Sequence, residues 1–159
     1  MKRNVTHLLL LILIPFLFFA CDRNRIFEAY EKLPETGWHK DSLLTFPVPI
    51  DNTVQPNNLY INVRNDIKYK YSNLWLFIKI EEPGETAVAD TFEVVLANPA
   101  GKWLGDGFGG IKTTQVLYKR NVYFTKTGKY KVTIQHGMRD NVLKGITDIG
   151  FRVEKTGEK

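Results

Sequence analysis

Cysteine, serine and histidine are all scarce in this chain, and each shortage removes a class of chemistry. A single cysteine, Cys21, excludes an internal disulfide. The serines are Ser42 and Ser72, and neither lies in the G-x-S-x-G setting of a hydrolase nucleophile. Beyond residue 20 the histidines are His39 and His136, with no H-E-x-x-H or other close ligand spacing, so neither a metal site nor a cofactor is expected. Runs of one charge are also missing: no five like charges occur in succession, and the net charge of +5 is spread along the chain. That pattern describes an ordinary solvated surface, and no nucleic-acid partner is expected.

Paired carboxylates are harder to dismiss, because a glycosidase pair meets in space rather than in sequence. Asp90, Glu93, Asp106, Asp140 and Asp148 are the candidates, and most fall where turns and strand edges carry charge anyway. A third class, an enzyme, would require Asp106 and a second carboxylate to converge in one cleft. The expectation is that the protein is not an enzyme.

Long apolar runs are absent but for one. Leu8 to Cys21 reads LLLLILIPFLFFAC, preceded by Lys2 and Arg3 and followed by Asp22-Arg23-Asn24-Arg25. A basic start, an apolar stretch over Leu8–Phe19 and a small residue before the cut describe a secretory signal. The stretch falls short of the ~20 apolar residues that span a bilayer. Cysteine at the cut adds a lipobox reading. Phe18-Phe19-Ala20-Cys21 fits at its last two positions, with Phe18 standing where leucine is usual. Residues 1–20 are therefore read as a lipoprotein signal peptide, and Cys21 as the acylated new N-terminus, carrying palmitate-like chains into a membrane. Each acyl chain contributes ~0.8 kcal/mol per buried methylene, enough for stable anchoring when two or more are present. Cleavage leaves Cys21–Lys159 with a net charge of +3, one domain's worth of chain.

That remainder has the alternation of β-strands. Ile26–Tyr30 opens a short strand, and Glu35-Thr36-Gly37 is a turn. Ser42–Val48 is a second apolar segment, and Pro47 and Pro49 confine its end to a sheet edge or an exit. Leu59, Ile61 and Val63 alternate with polar neighbours. Asn73–Glu81, NLWLFIKIE, is apolar on both faces and belongs at the centre of a sheet. Thr91–Ala97, Thr113–Tyr118, Val122–Thr125, Lys129–Gln135 and Asp148–Glu154 follow, while Met138–Lys144 reads as a helical turn stopped by Gly145. Eight or nine short strands with turn signals between them predict an all-β fold, an antiparallel, jelly-roll-like sandwich. The expected organisation is a signal peptide at 1–20, a lipidated tether with a possible first strand at 21–35, and one sandwich domain at 36–159.

Asn98–Lys112, NPAGKWLGDGFGGIK, is the most unusual stretch. Gly105, Gly107 and Gly110 match G-x-G-x-x-G letter for letter, but Ile111–Val116 continues as a strand where a dinucleotide fold needs a helix. The stretch is expected either to tuck Trp103, Leu104 and Phe108 against the sandwich as a bulged loop or to present them to a partner. Aromatic residues make up 13% of the chain, enough to raise a sugar-stacking platform as an alternative. Trp75 is expected in the core. Trp38 and Trp103, beside polar and glycine-rich neighbours, are expected to be exposed anchors. The candidate partner-binding set is thus Trp38, Trp103, Leu104, Gly105, Gly107 and Phe108.

The lipoprotein signal, the segment Asn98–Lys112 and the ending LKGITDIGFRVEK (Leu143–Lys155) together resemble the GldH family, gliding-motility lipoproteins of the Bacteroidetes. The resemblance implies a cell-envelope lipoprotein that works with other gliding-motility lipoproteins and the type IX secretion apparatus, with no catalytic residue to carry over. Only Cys21 transfers with a role. The mixed charge of Asp22-Arg23-Asn24-Arg25 lacks the acidic run of surface-exposed lipoproteins in that phylum, which implies a domain facing the periplasm. The other reading from residues alone is a carbohydrate-binding envelope lipoprotein.

Overall fold

Among the described residues ten strands follow one another in chain order: β1 Arg25–Lys32, β2 Trp38–His39, β3 Leu44–Ile50, β4 Asn57–Asp66, β5 Asn73–Glu81, β6 Val88–Val95, β7 Ile111–Val122, β8 Gly128–His136, β9 Val142–Leu143 and β10 Ile146–Lys155. The computed structural model describes residues 22–85 and 88–157; the signal peptide and Cys21 lie outside the described residues. Among the described residues there is no helix, so none is long and apolar enough to cross a membrane.

The strands form two four-stranded antiparallel sheets, ordered β1-β10-β4-β7 and β3-β8-β5-β6, with β2 and β9 as a small separate pair. Apart from that pair, every link but the β5–β6 hairpin carries the chain from one sheet to the other. That order is a jelly roll, the expected sandwich. Period-two alternation explains its core: Leu59, Ile61, Val63, Ile149, Phe151 and Val153 from the first sheet meet Phe46, Val48, Leu76, Ile78, Val132 and Ile134 from the second. Pro47 and Pro49 lie on β3, an edge strand, where their missing N–H groups cost no ladder bond.

Three expectations change. Met138–Lys144 is not helical: Val142 and Leu143 pair with His39 and Trp38 as β9 and β2. Burying Leu143 against the core outweighs the weak helical periodicity of so short a segment. Thr113–Tyr118 and Val122–Thr125 are not separate strands, because β7 runs unbroken from Ile111 to Val122. Register shifts opposite Asn57, Leu59 and Tyr60 absorb its extra residues as bulges, so Lys119-Arg120-Asn121 breaks the alternation without ending the strand. The sandwich also begins before residue 36. β1 pairs with β10 along its length, from Arg25 opposite Glu154 to Lys32 opposite Asp148.

The outer faces of the two sheets differ. On the first, the Tyr30 ring lies over Gly150, where a Cβ would fall 2.8 Å from ring carbons. Arg64 stacks on Tyr30 at 4.4 Å. Beside it the buried Arg152 guanidinium donates to Glu28 at 2.8 Å, to Glu154 at 2.5 Å and to Asp22. Burial opposes the charge on Arg152, but these carboxylates outweigh it and raise its pKa. The first sheet thus covers itself. The second does not.

Candidate functional site

Antiparallel strands of eight to ten residues give the sandwich two ends roughly 25–30 Å apart. Residues 22–24 lie at one end. There the Lys155 amide donates to the Asn24 carbonyl at 2.7 Å and the Thr156 amide to Pro56 at 2.9 Å. The loops of the opposite end are tied to one another. Ile67 N–H reaches Gly110 O at 2.8 Å, Leu96 N–H reaches Ser72 O at 2.7 Å, and Lys40 N–H reaches Asn141 O at 2.9 Å. The glycine-rich loop between β6 and β7 is therefore held at the end far from the N-terminus.

That loop is built rather than slack. The Asn98 side-chain oxygen accepts from Ala100 N–H at 3.0 Å and Lys102 N–H at 2.9 Å, closing the turn. Trp103 bridges Ala97, and Asp106 bridges Thr113, with Thr113 N–H donating to Asp106 O at 2.7 Å. Lys112 Nζ donates to the Gly107 carbonyl at 3.0 Å. Gly107 has φ +148°, and a Cβ there would lie 2.4 Å from the Ile111 carbonyl oxygen. Its glycine serves this close backbone approach, and β7 follows directly where a dinucleotide site would need a helix.

The loop's apolar residues divide. Trp103 is partly buried and packs on the core. Leu104 and Phe108 do not tuck in: Leu104 is half exposed and Phe108 fully exposed. An open hollow of about 460 Å³ is lined by Asn98, Lys102, Leu104, Asp106 and Lys112. A second, of about 520 Å³, lies at the same end against Lys68, Lys70, Lys144, Asp66 and Asp140. The Lys70 ammonium lies 2.9 Å from Asp140, and its hydrogen bond holds that carboxyl below its usual range; Tyr71 donates to the same oxygen at 3.1 Å.

Trp38 departs from expectation. It is fully buried, with Nε1–H donating to the Ser42 carbonyl at 2.9 Å. The β2–β9 pair carries it inward, so its polar neighbours in sequence say nothing of its exposure, and it is not the exposed anchor expected. Trp75 departs in the opposite sense. Leu74, Leu76 and Ile78 take the inward face of β5, which turns Trp75 (39% exposed) and Phe77 (48% exposed) to solvent. β5 is central, as expected, but a two-sheet sandwich leaves its outer face uncovered. The far end of the Phe77 ring meets Gly137, where a Cβ would come 3.1 Å from Cζ. Leu43, also exposed, lines with Phe77, Lys79, Glu81, Lys131 and Gln135 a concavity of about 420 Å³. Strict alternation through NLWLFIKI was the signal for this outward pair.

The carboxylates weighed for hydrolysis have separate partners. Asp90 accepts from Tyr118 at 3.1 Å and pairs with Lys119 at 3.0 Å; Glu93 accepts from Asn73 at 2.6 Å; Asp148 lies 3.8 Å from Arg64. In the hollow beside Gly105, Asp106 is the lone carboxylate among the lining residues. No three His, Cys, Asp or Glu side chains gather as metal ligands among the described residues.

Comparison with known proteins places these features in context. Residues 25–153 match the GldH lipoprotein family. The gliding motility lipoprotein GldH homolog of Christiangramia forsetii is 42% identical over 161 aligned positions, covering 97% of this chain and 98% of the relative. Gliding motility lipoprotein GldH of Flavobacterium johnsoniae is 39% identical, covering 92% and 94%. Among solved structures, TmCBM61 in complex with β-1,4-galactotriose overlaps 82% of each chain at 14% identity, with a TM-score of 0.31 too low to carry an argument.

Proposed function

The chain belongs to the GldH lipoprotein family, and we propose that it is a non-enzymatic, lipid-anchored binding subunit of the gliding-motility and type IX secretion machinery. In this reading Cys21 carries the acyl chains, the domain faces the periplasm, and its partners are other gliding-motility lipoproteins or secretion-apparatus proteins. One observation supports this most. Leu104 and Phe108 stand exposed on a hydrogen-bonded loop, at the end of the sandwich opposite the anchored terminus. A rigid apolar projection flanked by lysines is suited to docking, since little entropy is lost when it is covered. Anchoring raises local concentration, so modest affinity suffices.

The test is crosslinked pull-down from native membranes with Leu104→Ala and Phe108→Ala together. Loss of the captured partner with unchanged folding supports the reading. Full capture and intact gliding or secretion sink it.

Phe77 supports a second reading. Its ring touches Gly137 with Trp75 two residues away on the same face, beside Gln135, Lys79 and Glu81. Flat exposed rings among hydrogen-bonding groups are the chemistry that stacks a pyranose. Retention on glycan affinity gels that Phe77→Ala abolishes would favour carbohydrate binding over the first reading.

A further inference from the structure

We propose that the end of the sandwich bearing residue 22 is a membrane-contacting surface, seating the domain directly on anionic phospholipid headgroups. This rests on the acylation of Cys21 put forward above and adds an orientation to it.

The connection to the anchor has almost no slack. Arg152, buried on β10, donates to the Asp22 carboxylate, and the Arg25 amide to the Asp22 carbonyl at 3.3 Å. The next residue toward the N-terminus is Cys21, one peptide step from Asp22 (about 3.8 Å between Cα atoms), so no tether separates the proposed acyl chains from the fold. A domain held so closely cannot stand off from the bilayer, and the loops at that end share its interfacial layer.

Those loops carry suitable chemistry. Val54, in the link from β3 to β4, is 83% exposed, and Tyr123, just after β7, is 60% exposed. Hydrogen bonds tie both links to the same end: Thr156 N–H donates to Pro56 O at 2.9 Å, and Asn121 N–H to the Asn58 side-chain Oδ1 at 3.1 Å. An apolar tip and a tyrosine beside a lipid anchor fit the headgroup region, where amphipathic rings concentrate.

Charge completes the surface. Arg23, Arg25 and Lys155 line a hollow of about 310 Å³ with Ile26, Ile50, Asn52, Gln55 and Asn57, and Asp51 is its lone acid. Arg25 lies 3.3 Å from Glu28, but among the described residues neither Arg23 nor Lys155 has a carboxylate within salt-bridge distance. A guanidinium and an ammonium group with no carboxylate partner among the described residues, next to an inserted acyl chain, are placed to take phosphate oxygens of neighbouring lipids. The lysine-lined hollow at the far end lies a strand's length away and cannot reach the same leaflet.

Because Cys21 is the lone cysteine, an introduced cysteine labels one site. Full-length acylated protein carrying Val54→Cys, Tyr123→Cys or Phe108→Cys is labelled with a fluorophore. It is then placed in phosphatidylcholine vesicles containing a headgroup-level quencher, with or without phosphatidylglycerol. Quenching should be several-fold stronger at positions 54 and 123 than at 108, and should rise with phosphatidylglycerol. Arg23→Glu with Lys155→Glu should remove that rise. Equal quenching at all three positions, or a rise that survives the charge reversal, overturns the proposal. Absence of acyl chains on Cys21 by mass spectrometry sinks the anchoring reading and this proposal together. Acylated protein whose three labels read alike sinks this proposal alone.

Discussion

Nε2 of His136 lies 3.1 Å from the backbone carbonyl of Trp38, and the two rings meet edge-on with centroids 5.2 Å apart. A carbonyl only accepts, so the neutral imidazole carries its proton on Nε2. Nδ1 is left as a buried acceptor with no partner among the described residues. Burial lowers the His136 pKa, the contact with Trp38 opposing it only in part. The folded state therefore binds fewer protons than the unfolded state once the pH falls below about 6.5. Stability should be full above that value and decline between pH 6.5 and the lowered folded value. Denaturant titrations at pH 7.5 and 5.5 should show the fall, and His136→Gln should flatten it.

Trp38→Ala should cost about 3–5 kcal/mol, because it removes a fully buried ring from the core together with its hydrogen bond to Ser42. Phe108→Ala should stay within about 0.5 kcal/mol of the parent, since the side chain is exposed. Urea unfolding of the two variants measures the contrast. Similar losses in both would contradict the placement of these aromatics.

Gly107→Ala should destabilise by about 1–3 kcal/mol, because a Cβ at φ +148° collides with the Ile111 carbonyl. Its effect on partner capture would report the shape of the loop rather than a contact. Thermal unfolding unchanged from the parent would show that the close approach is relieved at no cost.

Arg152→Met should cost about 3 kcal/mol, toward the low end for breaking a buried pair, because Glu28 and Glu154 lose their shared cation. Adding Glu28→Gln should recover part of the loss by removing one stranded carboxylate. Full additivity of the two changes in a double-mutant cycle would show that the pair is not coupled.

Cys21→Ser should release a folded domain from the membrane fraction, with circular dichroism unchanged. A variant that remains bound to membranes and fully supports gliding or secretion would remove the anchor from the account.

Much of this was legible in the residues themselves. Alternation in Leu59-Ile61-Val63, Tyr130-Val132-Ile134 and Ile149-Phe151-Val153 determined the strands and their buried faces, because a strand has only two sides and water rejects one set. Pro47 and Pro49 narrowed the end of their segment to a sheet edge or an exit for the equally local reason that they lack a donor, and β3 lies at an edge. The pattern of Leu8 to Cys21 rests on composition and needs no fold. What only the tertiary structure decided was which side chains remain in water. Trp38 is buried because β2 pairs with β9 across about a hundred residues of chain, and no window around Trp38 contains that partner. Trp75 and Phe77 are exposed because none of the described residues packs over the second sheet there, whereas Tyr30, Arg64 and Arg152 cover the first. Exposure is a property of what lies opposite a residue, and in a jelly roll most opposite residues are distant in sequence.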